Sequence, residues 1–187
     1  EIRDVIAFCK ERFIDVVPEI DMPGHTTAIV STFPELSCRG VQIPLETTGG
    51  IFKNILCAGK EEVFDFCFGI LDEVMELFPY KYIHIGGDEA NIKVWNYCID
   101  SSAYMKENNI EDVYELYSDF VGRVAQMVLD MGRTPIVWEG FPKKGAHRVP
   151  KDTLVIAWES YYNFAPDLLA DGFKIINASW QPNYIVP

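Results

Sequence analysis

The stretch Tyr82-Ile83-His84-Ile85-Gly86-Gly87-Asp88-Glu89 joins a short apolar run to two glycines and two adjacent carboxylates. Pro79 precedes the run and glycine ends it, which predicts a buried strand that opens at its carboxyl end. On a regular strand the two acids would point to opposite faces, so both can serve one site only if the chain bends at the glycines. Repulsion between the acids raises the proton affinity of the better buried one, which predicts a proton donor near neutral pH.

A structural interpretation of the same two acids is also open. Carboxylates are favoured at helix N-termini, where they accept hydrogen bonds from unpaired backbone amides. Asp88 and Glu89 could therefore cap a following helix instead of acting on a substrate. The rest of the chain has to decide between capping and catalysis.

Strand-like apolar runs alternate with helical patterns on both sides of this stretch. Apolar spacing predicts helices over residues 61–78 and 113–131. Besides the strand at Tyr82, it predicts strands over residues 13–20, 134–138, 154–158 and 173–178. Such alternation predicts a parallel sheet, because parallel neighbours need a crossover connection that helices supply. No G-x-G-x-x-G motif follows a strand, so a dinucleotide-binding fold lacks its phosphate loop.

Unusual residues cluster just after the predicted strands. They are Asp21, His25, Asp88, Glu89, Trp138, Glu139, Trp158, Glu159, Trp180 and Tyr184. The carboxyl ends of the strands carry the active site in (β/α)8 barrels, so this placement favours an α/β fold of the TIM-barrel type. A complete barrel takes about 250 residues. We therefore expect residues 1–187 to form part of a single (β/α)8 catalytic domain, with no second domain.

Aromatic side chains near paired acids suggest a sugar pocket, because the apolar face of a sugar ring stacks on an aromatic plane. Trp95, Trp138, Trp158 and Trp180 all follow predicted strands, although each could also pack the barrel mouth. Retaining glycosidases ordinarily use two carboxyls about 5 Å apart, usually on different strands. An adjacent pair fits better a reaction in which one carboxyl is the acid/base and the other orients a substrate group that acts as nucleophile.

His25 could orient or protonate a catalytic carboxylate, or it could be an ordinary exposed loop histidine. A metal site built from His25, Asp21, His84 and Asp88 is a further possibility. Their spacing does not match a helix-borne pair such as H-E-x-x-H. We therefore predict no metal ligands, and chelator-sensitive activity would favour the metal-dependent alternative.

Composition excludes several classes of partner. The formal charge of −12 would repel nucleic acid and anionic membranes, and no apolar stretch reaches membrane-spanning length. The five cysteines form no C-x-x-C pair, which predicts free thiols and neither a disulfide framework nor a zinc site. Unpaired cysteines favour a reducing compartment such as the cytoplasm.

Two motifs resemble the signature of family 20 glycoside hydrolases, the β-N-acetylhexosaminidases. They are His84-Ile85-Gly86-Gly87-Asp88-Glu89 and Pro18-Glu19-Ile20-Asp21-Met22-Pro23-Gly24-His25, which occur in the family order. Later segments are similar too: Val137-Trp138-Glu139, Ala157-Trp158 and the segment from Trp180 to Tyr184. The resemblance covers essentially the whole chain.

The resemblance implies a retaining enzyme that removes a terminal β-linked N-acetylglucosamine or N-acetylgalactosamine without metal or organic cofactor. By analogy, Glu89 is the acid/base and Asp88 holds the acetamido N–H, so that the substrate's carbonyl oxygen attacks and forms an oxazolinium ion. Further residues match substrate-binding and supporting positions. Trp138, Trp158, Trp180 and Tyr184 would contact the substrate, while Asp21 and His25 would support the acid. The expected partner is an oligosaccharide or glycoconjugate that contains N-acetylhexosamine.

The chain also departs from the family. Its segments resemble the third to seventh strands, and the family's arginine on the first strand and its tryptophan and acid near the eighth have no counterpart. Many members carry an acid two residues beyond the pocket tyrosine, where this chain has Val186. We therefore expect an incomplete barrel whose open edges could drive self-association. A non-catalytic carbohydrate-binding or scaffold fragment is the alternative function.

Overall fold

The structure of the chain is a computed structural model, and it describes residues 1–158 and 161–185. Glu159 and Val186, which the sequence analysis singled out, lie outside the described residues. The helices are α1 (Ile2–Lys10), α2 (Thr27–Thr32), α3 (Glu61–Leu77), α4 (Ile99–Glu107), α5 (Val113–Asp130), α6 (Ala165–Ala170) and α7 (Trp180–Asn183, kinked at Gln181). The strands are β1 (Tyr82–His84), β2 (Thr134–Trp138), β3 (Leu154–Ala157) and β4 (Lys174–Asn177). Short 3₁₀ helices span Pro34–Leu36, Ile92–Tyr97 and Lys143–Arg148.

The four strands form one parallel sheet in chain order, β1-β2-β3-β4. Tyr82 pairs with Thr134 across the first junction, and β2, β3 and β4 continue with the same direction. Helical segments occupy every connection between them, as parallel neighbours require. The predicted alternation of strands and helices is therefore confirmed for residues 82–177.

The predicted strand over residues 13–20 is wrong in most of its length. Phe13 is fully exposed and has φ +57°, a conformation that extended chains do not adopt. Only residues 18–22 run beside β1: the amides of Ile20 and Met22 donate to the carbonyls of His84 and Ile85. A single parallel bridge, Glu19 to His84, is the result. Apolar alternation could not reveal this, because the positive φ comes from the turn that ends α1.

Helix α5 provides much of the core beside the sheet. Leu116, Phe120 and Val124 are buried on it, and Phe120 packs against Phe64 of α3 with ring centroids 5.1 Å apart. Trp95 is fully buried in this core, and its Nε1 donates to the Leu56 carbonyl at 3.0 Å. The interpretation of Trp95 as a pocket aromatic is therefore wrong. Its indole closes the core and bonds a neighbouring loop.

Apolar side chains are exposed on helix α1 and on the edge strand β4. Val5 and Phe8 of α1 are more than half exposed, and Ile176 of β4 is 41% exposed. The central strands β2 and β3 are largely buried by comparison. Self-association through these edges stays a prediction that a mass measurement in solution would test. In the part of the chain that the structure describes, no helix combines the length and apolar character needed to cross a membrane.

Two helix glycines provide a test of this packing. A Cβ at Gly122 of α5 would lie 2.3 Å from the Arg148 carbonyl oxygen, whereas one at Gly69 of α3 would meet nothing within 4 Å. We expect Gly122→Ala to lower the free energy of unfolding by about 1–3 kcal/mol through overpacking. Gly69→Ala should instead raise it by about 0.5–1 kcal/mol, because alanine has less chain entropy to lose. Urea unfolding followed by circular dichroism measures both, and equal effects would contradict the close contact of α5 with the 3₁₀ helix.

Candidate active site

The chain bends sharply where β1 ends. Gly86 and Gly87 have φ of +70° and +84°, and Glu89 has φ +46°. A Cβ on Gly86 would fall 1.7 Å from Asp21 Oδ1, so only glycine fits there. The 3₁₀ helix that follows begins at Ile92 with Asn91 at its N-cap, so the capping interpretation of the two acids is wrong. The bend instead leaves both acids at the end of the sheet.

Asp21 and Asp88 meet as a hydrogen-bonded carboxyl pair. The Gly87 amide donates to Asp21 Oδ1 at 3.1 Å, which fixes the Asp21 carboxyl against the bend. Burial, followed by the negative charge of Asp88, raises the pKa of Asp21 to about 8. Burial also raises the pKa of Asp88, although His25 opposes that change. Near neutral pH the pair therefore holds a proton on Asp21, which donates to the Asp88 carboxylate.

The acid that holds this proton is Asp21, whereas the sequence analysis expected it to be Asp88 or Glu89. Repulsion between Asp88 and Glu89 was expected to create the proton donor. Burial is the main cause of the raised pKa of Asp88, and Glu89 contributes less than burial, His25 or Asp21. The strongest perturbation falls on Asp21, because it is both buried and next to a second buried acid.

His25 faces both acids from the loop after residues 18–22. Its Nε2 lies 3.4 Å from Glu89 Oε2 and 3.7 Å from Asp88 Oδ2. The backbone of His25 is also in the left-handed region, with φ +51°. One-third of its side chain is exposed, so the ring is partly in solvent and partly against the acids. This geometry suits a side chain that orients Glu89.

Four aromatic side chains form a continuous series beside the acids. Trp138 ends β2 and packs edge-on against Trp158, with ring centroids 5.9 Å apart. Trp158 packs in the same way against Trp180 at 6.2 Å, and Trp180 stacks on Tyr184 at 4.6 Å. Residues from three successive strand ends are thereby brought together.

A cavity of about 300 Å³ lies between the acids and the aromatics. Its lining comprises Glu19, Asp21, His25, Asp88, Trp138, Trp158 and Tyr184. Glu89 reaches the same place through its contact with His25. Trp180 does not belong to the lining: it is 42% exposed and supports Tyr184 from behind. Its assignment as a substrate contact stays a prediction.

Sequence reasoning missed Glu19 as a site residue. Its Oε1 accepts a hydrogen bond of 2.7 Å from Trp138 Nε1, which fixes the indole at the cavity wall. The available signal was its position between Pro18 and Asp21, in a segment already identified as a motif.

Glu139 was noticed as a residue after a strand, but its role was not. It is fully buried, and its Oε1 accepts hydrogen bonds from the amides of Tyr161, Tyr162 and Asn163 at 2.8–3.0 Å. Three convergent amides replace the hydrogen bonds to water that this buried carboxyl oxygen loses. Glu139 therefore fixes the loop that follows β3 and Trp158.

His84 supports the bend from within the sheet. Its Nδ1 accepts a hydrogen bond from the Gly86 amide at 3.0 Å, and its ring lies 5.1 Å from that of Trp138. Burial lowers the pKa of His84, which keeps the ring neutral. The possible metal ligands other than His84 do converge: atoms of Asp21, His25 and Asp88 lie within 4.8 Å of one another. The absence of a metal ion at these residues stays a prediction.

Comparison with known proteins agrees with this geometry. The family "Glycosyl hydrolase family 20, catalytic domain" matches residues 1–186. A beta-hexosaminidase of Porphyromonas gingivalis is 35% identical over 158 residues, which are 84% of this chain and 20% of that protein. The solved β-N-acetylhexosaminidase of Bacteroides fragilis superposes with a TM-score of 0.83 at 30% identity, over 94% of this chain and 35% of the other.

A third similar protein is the exo-β-N-acetylglucosaminidase of Vibrio harveyi, solved in complex with N-acetylglucosamine. It shares 30% identity and a TM-score of 0.76, over 93% of this chain and 27% of its own. This chain thus spans roughly a fifth to a third of the length of the relatives named here. The matched family, together with the parallel sheet and the paired acids at its end, shows that the chain belongs to glycosyl hydrolase family 20, within its catalytic domain.

Proposed function

We propose that this chain forms the catalytic centre of a retaining β-N-acetylhexosaminidase. The reaction is hydrolysis of a terminal, non-reducing N-acetylglucosamine or N-acetylgalactosamine β-linkage. The observation that carries the proposal is the position of Asp88 in a cavity walled by Trp138, Trp158 and Tyr184, with Glu89 next to it. Residues 18–22 and strands β1 to β4 correspond in this proposal to the third to seventh strands of a (β/α)8 barrel.

The size of the cavity supports cleavage at a chain end. About 300 Å³ is at the small end of ligand sites, which suits one sugar ring with its acetamido group. Trp138 and Trp158 provide apolar surfaces for the ring and the acetamido methyl. The hydrogen bond from Trp138 Nε1 to Glu19 already orders the indole, so substrate binding loses less side-chain entropy.

Asp88 is suited to hold the substrate's acetamido group. Its carboxylate receives a proton-bearing hydrogen bond from Asp21, so one face is fixed and the other can accept the acetamido N–H. Orientation of that group brings its carbonyl oxygen to the anomeric carbon, where it forms a bond as the glycosidic bond breaks. The negative charge of Asp88 stabilises the resulting oxazolinium ion, and the Tyr184 hydroxyl donates to the carbonyl oxygen as it attacks.

Glu89 carries the proton in both steps. It protonates the departing glycosidic oxygen, and it then removes a proton from the water that opens the oxazolinium ring. The ring opening restores the acetamido group and leaves the sugar with its original β configuration. His25, 3.4 Å from Glu89, orients the acid throughout.

A non-catalytic carbohydrate-binding protein would need the aromatic walls alone. Retention of both acids, with Asp21 and His25 built around them, favours turnover over simple binding. The complex of the Vibrio harveyi relative with N-acetylglucosamine supports the same substrate class.

The first prediction concerns the acid/base. Glu89→Gln keeps the shape of the side chain but removes its proton transfer, so kcat/KM for para-nitrophenyl N-acetyl-β-glucosaminide should fall by about 10²–10⁴-fold. Glu73→Gln, on an exposed face of α3, is the matched control and should retain full activity. The assay is run on the 187-residue chain and on a chimera in which a relative supplies the remaining barrel strands. Full activity of Glu89→Gln would overturn the assignment, and loss of activity on chelation would favour a metal-dependent hydrolase.

The second prediction concerns the nucleophile. If the acetamido oxygen attacks, a cyclic thiazoline analogue of the oxazolinium ion should bind more tightly than N-acetylglucosamine, by about 10²-fold or more. Asp88→Asn should weaken the thiazoline far more than it weakens the sugar, because the amide cannot stabilise the positive charge. Competition assays on wild type and on Asp88→Asn measure this difference. An equal loss for both ligands would contradict a substrate-assisted reaction.

The third prediction concerns pH. The Asp21 proton is present below a pKa of about 8 and is lost above it, which places two negative charges side by side and removes the bond to Asp88. We therefore expect kcat/KM to fall as the pH rises through about 8. Asp21→Asn accepts from Gly87 with its oxygen and donates to Asp88 with its nitrogen at every pH. That variant should stay active and lose the alkaline decline, whereas an unchanged pH profile would exclude Asp21 as its source.

A further inference from the structure

Three cysteines from separate parts of the chain converge in the structure. Cys38 follows the 3₁₀ helix Pro34–Leu36, Cys57 precedes α3, and Cys98 is the N-cap of α4. Their sulfur atoms all lie within 4.8 Å of one another, and Cys57 Sγ is 3.5 Å from Cys98 Sγ. The sequence predicted free thiols and neither a disulfide framework nor a zinc site, because it holds no C-x-x-C pair.

The spacing of the sulfur atoms suits a shared metal ion. Metal–sulfur bonds of about 2.3 Å at tetrahedral angles place two thiolates about 3.8 Å apart. The Cys57–Cys98 separation of 3.5 Å is close to that value and far longer than a disulfide bond of about 2.05 Å. Pairing two of the cysteines would also leave the third sulfur without a role, whereas a metal ion uses all three.

Ser101 lies at the remaining corner of the cluster. It is fully buried in the first turn of α4, and its Oγ is 3.6 Å from Cys57 Sγ and 3.9 Å from Cys38 Sγ. An oxygen ligand beside a thiolate in a tetrahedral site would be about 3.6 Å from it. The set Cys38, Cys57, Cys98 and Ser101 thus has the shape of a site with three sulfur ligands and one oxygen.

An ion could reach the cluster from solvent. Cys57 and Cys98 are buried, but Cys38 is only partly so and lines a surface cavity of about 350 Å³. The same cavity contacts Val94 and Tyr97 of the 3₁₀ helix that precedes Cys98. Cys38 is therefore the point of entry.

We propose that Cys38, Cys57 and Cys98 bind a thiophilic metal ion, with Zn²⁺ as the type, and that Ser101 or a water completes the tetrahedron. Each thiol that coordinates releases its proton to solvent, and no oxidation or reduction takes place. The ion joins both ends of the 39–56 loop to the start of α4. Its ligand Cys57 directly follows Leu56 in the chain. The Leu56 carbonyl accepts a hydrogen bond from Trp95 Nε1, and the Leu56 amide donates to the Pro23 carbonyl in the loop that carries His25. The site is thus structural, and it is distinct from the catalytic acids.

The test is metal binding by the reduced, chelator-treated chain. The wild-type chain is loaded with Zn²⁺ and then dialysed against metal-free buffer. It should retain one zinc per chain, measured by inductively coupled plasma mass spectrometry. Titration with Cd²⁺ should produce thiolate-to-metal charge-transfer absorption that saturates at the same stoichiometry. Cys98→Ser should bind zinc at least roughly 10–100-fold more weakly than wild type. Even the loss of a residue that only hydrogen-bonds a metal ligand lowers affinity by that factor. Ser101→Cys should tighten zinc binding, because it supplies a fourth thiolate three residues after Cys98 and so completes a C-x-x-C pair.

Cys67→Ser is the matched control, since Cys67 is a buried free cysteine of α3 outside the cluster. It should retain one zinc, and circular dichroism shows whether each variant remains folded. Failure of wild type to retain zinc would overturn the proposal, and so would equal zinc content in a folded Cys98→Ser variant. A disulfide within the cluster, detected as a loss of two hydrogens in the intact mass before reduction, together with no zinc binding after reduction, would also overturn it.

Discussion

The hydrogen bond from the Gly87 amide to Asp21 joins two distant segments into one site. It requires the chain after β1 to turn through two positive φ angles, and it requires glycine at residue 86, where any side chain would occupy the place of Asp21. Because Asp21 is then buried beside Asp88, the two acids share a proton and one of them stays neutral near pH 7. The backbone bend and the charge state of the site are therefore one structural feature.

Rigidity elsewhere in the site comes from two acids that accept hydrogen bonds, the exposed Glu19 and the buried Glu139. Glu19 fixes the Trp138 indole, and Glu139 collects three amides of the loop after Trp158. Each acid acts on a neighbouring strand end, so the aromatic walls are tied to one another through the sheet. A site held in this way can keep its shape before the substrate arrives, which is what stabilisation of a charged intermediate requires.

A second set of contacts, centred on Leu56, supports the loop that carries His25. Leu56 connects the Pro23 loop to the buried Trp95, and the cysteine cluster lies next to it. The long segment between Cys38 and Cys57 has little regular structure of its own. Its two ends meet at the antiparallel bridge of Ser37 with Leu56, beside these sulfur atoms. The loop is thus held at its base, close to the residues that position His25.

Much of the fold could be predicted from the sequence. The alternation of helical and strand-like periods predicted the parallel sheet, and glycine before Asp88 and Glu89 predicted the bend. Prediction failed where backbone conformation or distant neighbours decide. Phe13 leaves the extended region because of the turn after α1, and Trp95 enters the core although its position in the sequence resembles that of the rim tryptophans.

By itself, therefore, the sequence determined the order and direction of the strands and the two motifs that carry the acids, since local periodicity and glycine placement act over a few residues. Only the tertiary structure decided that Asp21 holds the proton, that Trp180 lies behind Tyr184, and that three cysteines meet. The physical reason is that burial, charge repulsion and metal-ligand geometry depend on distances between residues far apart in the chain.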